Sequence, residues 1–313
     1  MYPRISDLFS DLLGFNFPIP IYSFGAMVAV AILTASWITG KELDRMYAAG
    51  IVKSVKLPEA KKKKGKGKKT VKTEQSPSAL IGTVTIIAVV AGFAGSKIFH
   101  ILENLGEFAA NPFGMLFSTG GFTFYGGLIV AAICIALYIR KYGLSVRRFA
   151  DAIAPSLILG YGIGRIGCHL AGDGDWGIPA DIAAKPDWLP MWLWAETYPN
   201  NILNIDLSGA AVYPTSIYEF VAGLLLFAVL WAVRKHPFQS GWLFSLYLVF
   251  AGLERFFIEK IRVNNEFELF GAIMTQAELI SILMIVLGVV GIGLTMRKTG
   301  NSLSDPASGA VSA

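Results

Sequence analysis

Long apolar stretches alternate with polar ones along the chain, and the apolar stretches recur at the length a bilayer demands. Crossing about 30 Å of hydrocarbon at a rise of about 1.5 Å per residue takes roughly 20 residues. Runs of that length fall near 20–39, 78–101, 121–139, 151–170, 212–233, 241–260 and 277–296. Each predicts a helix, because a segment in lipid must satisfy its backbone hydrogen bonds within itself. The pattern therefore predicts an all-α integral membrane protein with seven transmembrane helices.

The polar segments set the orientation, since Lys and Arg collect in short cytoplasmic loops. Lys41, Arg45, Lys53, Lys56, the run Lys61 to Lys64, Lys66, Lys68, Lys69 and Lys72 lie between spans one and two. Arg140, Lys141, Arg147 and Arg148 follow span three, Arg234 and Lys235 follow span five, and Arg297 and Lys298 follow span seven. Residues 102–120 hold no basic residue and 172–211 only Lys185. The alternation predicts an N-terminus outside and a C-terminus in the cytoplasm; Lys260 and Arg262, after span six, break it. The lead "MYPRISDLFSDLLGFNFP" has no compact basic region and no Ala-x-Ala site, so the first span is expected to stay as an anchor. The expected organisation is an N-terminal segment with the first span (1–40), a cytoplasmic lysine-rich loop (41–77), a six-span bundle (78–296) with an outer loop at 172–211, and a cytoplasmic tail (297–313).

Composition agrees. Hydrophobic residues make up 54% of the 313 and mean hydropathy is +0.55, leaving too little polar surface to cover a water-soluble domain. The basic run "KKKKGKGKK" has no interleaved aromatics and is flanked by Pro58 and Pro77, which predicts a solvated loop that enforces topology and draws anionic headgroups, with no nucleic-acid partner. Two cysteines, Cys134 and Cys168, are too few for a disulfide framework. Histidines stand only at 100, 169 and 236, so nothing with ligand spacing joins the pair Cys168-His169, and no metal or cofactor is expected.

Candidate chemistry begins at "GYGIGRIGCHLAGDGDWG", residues 160–177. A charge within a span costs about 2.5–3.5 kcal/mol on insertion scales, so Arg165 should face the bundle interior or a wet cavity, with a partner. Span four carries it roughly 20 Å from the cytoplasmic side. Span six runs the same way and places Glu254 and Arg255 at a similar depth, followed by Glu259, Lys260 and Arg262. Two readings stay open. Arg165 and Arg255 pair with Glu254, Glu219 or Asp173 in a structural network, or the two guanidiniums bind a phosphate, the group their planar forks suit; in a membrane that phosphate belongs to a lipid. Gly126 and Gly127, with Gly160, Gly162, Gly164 and Gly167, allow close helix packing or leave room for a ligand. Trp188, Trp192, Trp194 and Tyr198 in the outer loop suit a headgroup-level anchor or the rim of such a site.

These stretches together resemble the bacterial prolipoprotein diacylglyceryl transferase family. "GRIGCHLAGDGDWG" is similar to its Gly-Arg-x-Gly-Asn-Phe-x-Asn-x-Glu-x-x-Gly signature. "GGFTFYGGLIVA", "DAIAPSLILGYGIGR", "YPTSIYEF", "GLERFFIEKIR" and "YSFGAMVAVAILTA" resemble further family segments. The resemblance implies seven spans in the bacterial cytoplasmic (inner) membrane and a site at the outer leaflet. It also implies the reaction: the diacylglyceryl group of phosphatidylglycerol passes to the lipobox cysteine thiol of a prolipoprotein, releasing glycerol 1-phosphate, without a cofactor. The partners implied are phosphatidylglycerol and the prolipoprotein signal peptide with its lipobox.

Because the substrate brings the nucleophile, the enzyme's task is to stabilise the departing phosphate and assist thiol deprotonation. On the resemblance, Arg165 and Arg255 bind the phosphate, Arg262 helps at the rim, and Gly126 and Gly127 belong to the phospholipid site. Tyr125 and Asp173 are the remaining catalytic candidates, and Glu219, Glu254, Glu259, Cys168 and His169 support them. Several polar family positions are rewritten: the family His is Tyr125 here, two Asn are Cys168 and Ala171, the Glu is Asp173 with Gly174 inserted, His-Pro is Tyr213-Pro214, and the opening Tyr is Phe24. An unperturbed tyrosine titrates near pH 10 and is a poorer base than histidine. A phospholipid-binding or transport protein of the same fold, without transferase activity, is the competing expectation.

Overall fold

The computed structural model describes residues 1–14, 18–58, 72–118, 120–269 and 272–296. The lysine run 61–69 and the basic pair Arg297 and Lys298 lie outside the described residues. In chain order the elements are α1 (Ile5–Leu13), α2 (Ser23–Ala48), β1 (Val55–Pro58), β2 (Lys72–Gln75), a 3-10 turn at Pro77–Leu80, α3 (Ile81–Glu103), α4 (Leu105–Ala110), α5 (Pro112–Phe117) and α6 (Phe124–Lys141). There follow α7 (Val146–Ala171), α8 (Met191–Trp194), α9 (Thr215–Val233), α10 (Trp242–Glu259), β3 (Glu266–Leu269), β4 (Ala272–Thr275) and α11 (Gln276–Thr295). The only sheets among the described residues are two antiparallel hairpins, β1 with β2 and β3 with β4.

The seven expected spans fall on α2, α3 with its leading turn, α6, α7, α9, α10 and α11. Five of these, all but α7 and α10, are long and apolar enough to cross a membrane. The two that depart from that composition carry Arg165 in α7 and Glu254, Arg255 and Glu259 in α10. The burial pattern reverses that of a water-soluble protein: Ile86, Phe93, Leu137 and Val289 point outward, whereas Glu42, Asp151, Glu219, Glu254, Glu259 and Glu278 are buried. Apolar groups need no shelter from lipid, and charged ones do.

The chain forms two compact units, Met1–Leu33 with Ile153–Ala313, and Thr34–Ala152. In the first, Ala154, Ile158, Leu230 and Leu243 form a fully buried apolar centre packed by Tyr161, Phe227 and Phe250. Small residues bring the helices close: a Cβ on Gly223 of α9 would lie 3.2 Å from Gly162 Cα of α7, and one on Gly252 of α10 would lie 2.8 Å from Ser281 O of α11. A capping box at Thr275 and Glu278 starts α11, and Glu278 also binds Lys260 just past α10.

In the second unit α3 and α6 pack through glycine. A Cβ on Gly126 would meet Phe99 Cβ at 2.3 Å and Gly95 O at 2.8 Å, and one on Gly127 would meet Gly92 O at 2.7 Å. Lys97 of α3, buried, donates to Ser118 O (3.1 Å), Ser118 Oγ (2.7 Å) and Gly120 O (2.8 Å), tying down the segment that leads into α6. Its ammonium also sits 4.9 Å from the Phe122 ring.

The glycine contact is testable by volume. A Cβ on Gly95 would lie 2.6 Å from both Gly126 O and Val130 Cβ, whereas one on Gly82 of the same helix would meet nothing within 4 Å. Gly95→Val should destabilise by about 1–3 kcal/mol through overpacking and lower the thermal midpoint of detergent-purified protein, with Gly82→Val shifting it far less. Equal midpoints for the two variants would refute close packing at this contact.

Candidate active site

The site is organised around Glu219, in the second turn of α9, whose side chain is 0% exposed. Three guanidiniums reach the same oxygen, Oε1: Arg165 Nη2 of α7 at 2.9 Å, Arg255 Nη1 of α10 at 3.4 Å, and Arg262 Nη1 beyond the end of α10 at 3.5 Å. Arg165 also pairs with Asp175, as does Arg262. Arg255 completes its partners with Glu259 one helical turn on, Nη2 to Oε2 at 2.9 Å, and Asn264 Nδ2 donates to Glu259 Oε1 at 2.6 Å.

Backbone pairing places the members of this cluster that no span carries. Gly177 bridges Arg262, with Ile178 N donating to Ile261 O at 2.8 Å and Gly177 N donating to Tyr213 O at 2.8 Å. A side chain at 177 would put its Cβ 2.6 Å from Ile261 O, so only glycine permits the approach. Asp175 follows two turn glycines, Gly172 (φ +60) and Gly174 (φ +94), and Thr215 Oγ1 donates to Asp175 O at 2.7 Å. Arg262 and Lys260, which broke the charge alternation, are thus committed to Asp175, Glu219 and Glu278.

Burial pushes the Asp175 carboxyl up, but Arg165 and Arg262 outweigh it and hold the group below its ordinary value. Burial likewise works against the charge on Arg262, and Asp175 with Glu219 more than restores it. Three guanidiniums therefore meet three carboxylates, Asp175, Glu219 and Glu259, in a nearly neutral group. Tyr161 Oη donates to Glu219 Oε1 at 2.7 Å and lies 3.4 Å from Glu254 Oε1, with the Arg165 guanidinium 5.1 Å over its ring.

One compact unit thus gathers Arg165, Arg255, Arg262, Glu219, Glu254 and Glu259. Of the three partners expected for the arginines, Glu219 takes both Arg165 and Arg255. Asp173 binds neither; its Oδ1 accepts from Asp175 N at 3.3 Å, and Asp175 holds the arginine contacts. Cys168 Sγ lies 3.8 Å from Arg165 Nη1. Donor atoms of Cys168, Asp173 and Asp175 fall within 4.8 Å of one another, but a cation there would face the two guanidiniums on Asp175. His169 Nδ1 lies 3.3 Å from Tyr198 Oη and 3.5 Å from Ser216 Oγ. Tyr125, Gly126 and Gly127 lie in the other unit, where the glycines pack α6 on α3 and the Tyr125 ring meets Phe124. Sequence reasoning passed over Tyr161, although its place one turn before Arg165 on α7 is a signal for contact.

The Asp175 pairs make a pH prediction. A carboxyl whose folded value is depressed stabilises the fold above its unfolded value, about 3.9, and that contribution is lost as pH falls through the folded value. The gap in thermal midpoint between the wild type and Asp175→Asn should be full near neutrality and close below about pH 4. A gap that stays constant down to pH 3 would contradict the charge pairing.

Residues 12–294 match the family described as prolipoprotein diacylglyceryl transferase. A Clostridium tetani phosphatidylglycerol--prolipoprotein diacylglyceryl transferase is 29% identical over 273 residues, covering 87% of this chain and 92% of its own length. Proteins of the same name from Corynebacterium diphtheriae (29% over 239 residues; 70% and 78%) and Bacillus cereus (26% over 288 residues; 91% and 91%) are also similar. With the match covering most of its length, the chain belongs to the prolipoprotein diacylglyceryl transferase family.

Proposed function

We infer that this protein transfers the diacylglyceryl group of phosphatidylglycerol to the lipobox cysteine of a prolipoprotein and releases glycerol 1-phosphate. The observation that carries the reading is the convergence of Arg165 and Arg255, from separate helices, on one fully buried carboxylate, in a chain of this family. The substrate thiolate attacks the glyceryl carbon, the S–C bond forms, the C–O bond breaks, and its electron pair goes to the phosphate oxygen. Charge grows on that phosphate in the transition state. Arg165 and Arg255 are the donors in this proposal that meet it, with Arg262 beside them; preorganised donors of this kind are worth about 10²–10³-fold in rate.

Tyr125 and Asp173 are the proposed groups for handling the thiol proton. Gly126 and Gly127 are carried into this reading as phospholipid-site residues on the family resemblance alone. The reading has all seven long helices crossing a bacterial cytoplasmic membrane, N-terminus outside and C-terminus inside, so that the cluster opens toward the outer leaflet. The apolar character of five helices supports it, as does the inward commitment of the charges on α7 and α10. The proposed divisions are the first-span segment 1–40, the cytoplasmic loop 41–77, the bundle 78–296 and the tail 297–313.

The test is the mass of a lipobox peptide incubated with the purified protein and phosphatidylglycerol. The wild type should add a diacylglyceryl mass through a thioether. Arg165→Ala and Arg255→Ala should each lower the rate by about 10²-fold or more, and Arg165→Lys should restore little, because an ammonium lacks the planar fork. Phospholipid bound by folded protein with no mass added to the peptide would make this a lipid-binding protein instead.

A further inference from the structure

Glu219 uses only one of its two oxygens. Oε1 collects Arg165, Arg255, Arg262 and the Tyr161 hydroxyl, whereas Oε2 is buried with no hydrogen-bond partner among the described residues. The same holds for Nε of Arg165 and Nε of Arg262, in side chains only 14% and 7% exposed. Buried polar atoms are nearly always paired, so an unfilled acceptor and two unfilled donors belonging to one ion cluster ask for an occupant. Glu219 Oε2 can only accept, and the Nε–H groups of Arg165 and Arg262 can only donate. An anionic oxygen only accepts and an ammonium only donates, but a hydroxyl does both. An ammonium drawn to Glu219 would also meet three guanidiniums on the same carboxylate, and like charges in a buried setting repel strongly.

The lipid proposed above brings such a group. The headgroup of phosphatidylglycerol carries a hydroxyl on the carbon next to the one esterified to phosphate, and Arg165 and Arg255, the proposed phosphate donors, share the Glu219 carboxylate. We propose that Glu219 selects the headgroup: its Oε2 accepts a hydrogen bond from a glycerol hydroxyl, while the guanidiniums on Oε1 turn away amine headgroups. Glu219 is thereby a specificity determinant as well as the partner of three arginines. The inference rests on the transferase reading for the identity of the lipid, not for the hydrogen-bonding character of Oε2.

The experiment compares phosphatidylglycerol with phosphatidylpropanol, which has the same charge and no headgroup hydroxyl, and with phosphatidylethanolamine. Sites built to bond a hydroxyl reject analogues that lack it, so wild-type kcat/KM should favour phosphatidylglycerol by roughly tenfold or more over phosphatidylpropanol, and phosphatidylethanolamine should not be used. Glu219→Gln puts a donor among donors and should bring the first ratio to within about threefold. A second measurement needs neither the variant nor turnover: glycerol 1-phosphate should protect the wild-type protein from thermal unfolding at roughly tenfold lower concentration than propyl phosphate. Equal use or equal binding of the hydroxyl-bearing and hydroxyl-free partners would overturn the proposal and leave only a trapped water at Oε2; so would an unchanged ratio in folded Glu219→Gln, or ready use of phosphatidylethanolamine. Selective binding of glycerol 1-phosphate without any transfer would sink the transferase reading and leave this inference standing, whereas transfer without discrimination would do the reverse.

Discussion

Three guanidiniums sharing one carboxylate oxygen inside an apolar helix bundle is the arrangement on which the rest of the site depends. None of the four charges is tolerable alone where it sits. Breaking a buried ion pair by removing one partner costs about 3–5 kcal/mol, because the remaining charge is left uncompensated. Glu219 on α9 therefore fixes Arg165 of α7, Arg255 of α10 and Arg262 beyond it, and Asp175 and Glu259 bring the group close to neutrality. The same constraint accounts for the composition of α7 and α10, the two long helices least suited to lipid on their own.

For the phosphate role proposed above, a neutral cluster is better prepared than a bare pair of arginines would be. Unpaired guanidiniums in this setting would be strongly disfavoured before any lipid arrived, whereas carboxylate partners hold the forks in position and limit their attraction for arbitrary anions. Asp175, on the glycine-flanked turn after α7, ties two of the arginines together: it binds both Arg165 and Arg262, and the backbone pairing of Gly177 with Arg262 keeps the two sides in register.

Much of this was legible in the residues. The apolar runs fell on seven long helices, to within a few residues at most of their ends, and five of those are long and apolar enough to cross a membrane; α2 extends nine residues past its expected end. A charged residue in a span pointed to Arg165 and Arg255, and their shared depth anticipated their meeting. The exception in the charge alternation, Lys260 and Arg262, coincides with ion pairing: Arg262 joins Asp175 and Glu219, and Lys260 binds Glu278. The hairpins and the short helices α4, α5 and α8 were not legible, being too short to leave a period, whereas α1, "ISDLFSDLL", carries a helical alternation that the count of long apolar runs does not register. Nor was the choice of Asp175 over Asp173: one residue inserted in a turn of positive-φ glycines redirects the following side chains, and spacing alone does not record which carboxylate then faces the arginines. Tyr125 in place of a family histidine was visible as a substitution, but its consequence depends on proton chemistry that residue identity does not carry.

An experimental structure of the protein in nanodiscs containing phosphatidylglycerol tests the central claim most directly. The account predicts headgroup phosphate density within hydrogen-bonding distance of the guanidiniums of both Arg165 and Arg255, in a chamber continuous with the outer leaflet. Lipid phosphate bound elsewhere, or either guanidinium turned out into the acyl chains, would contradict it.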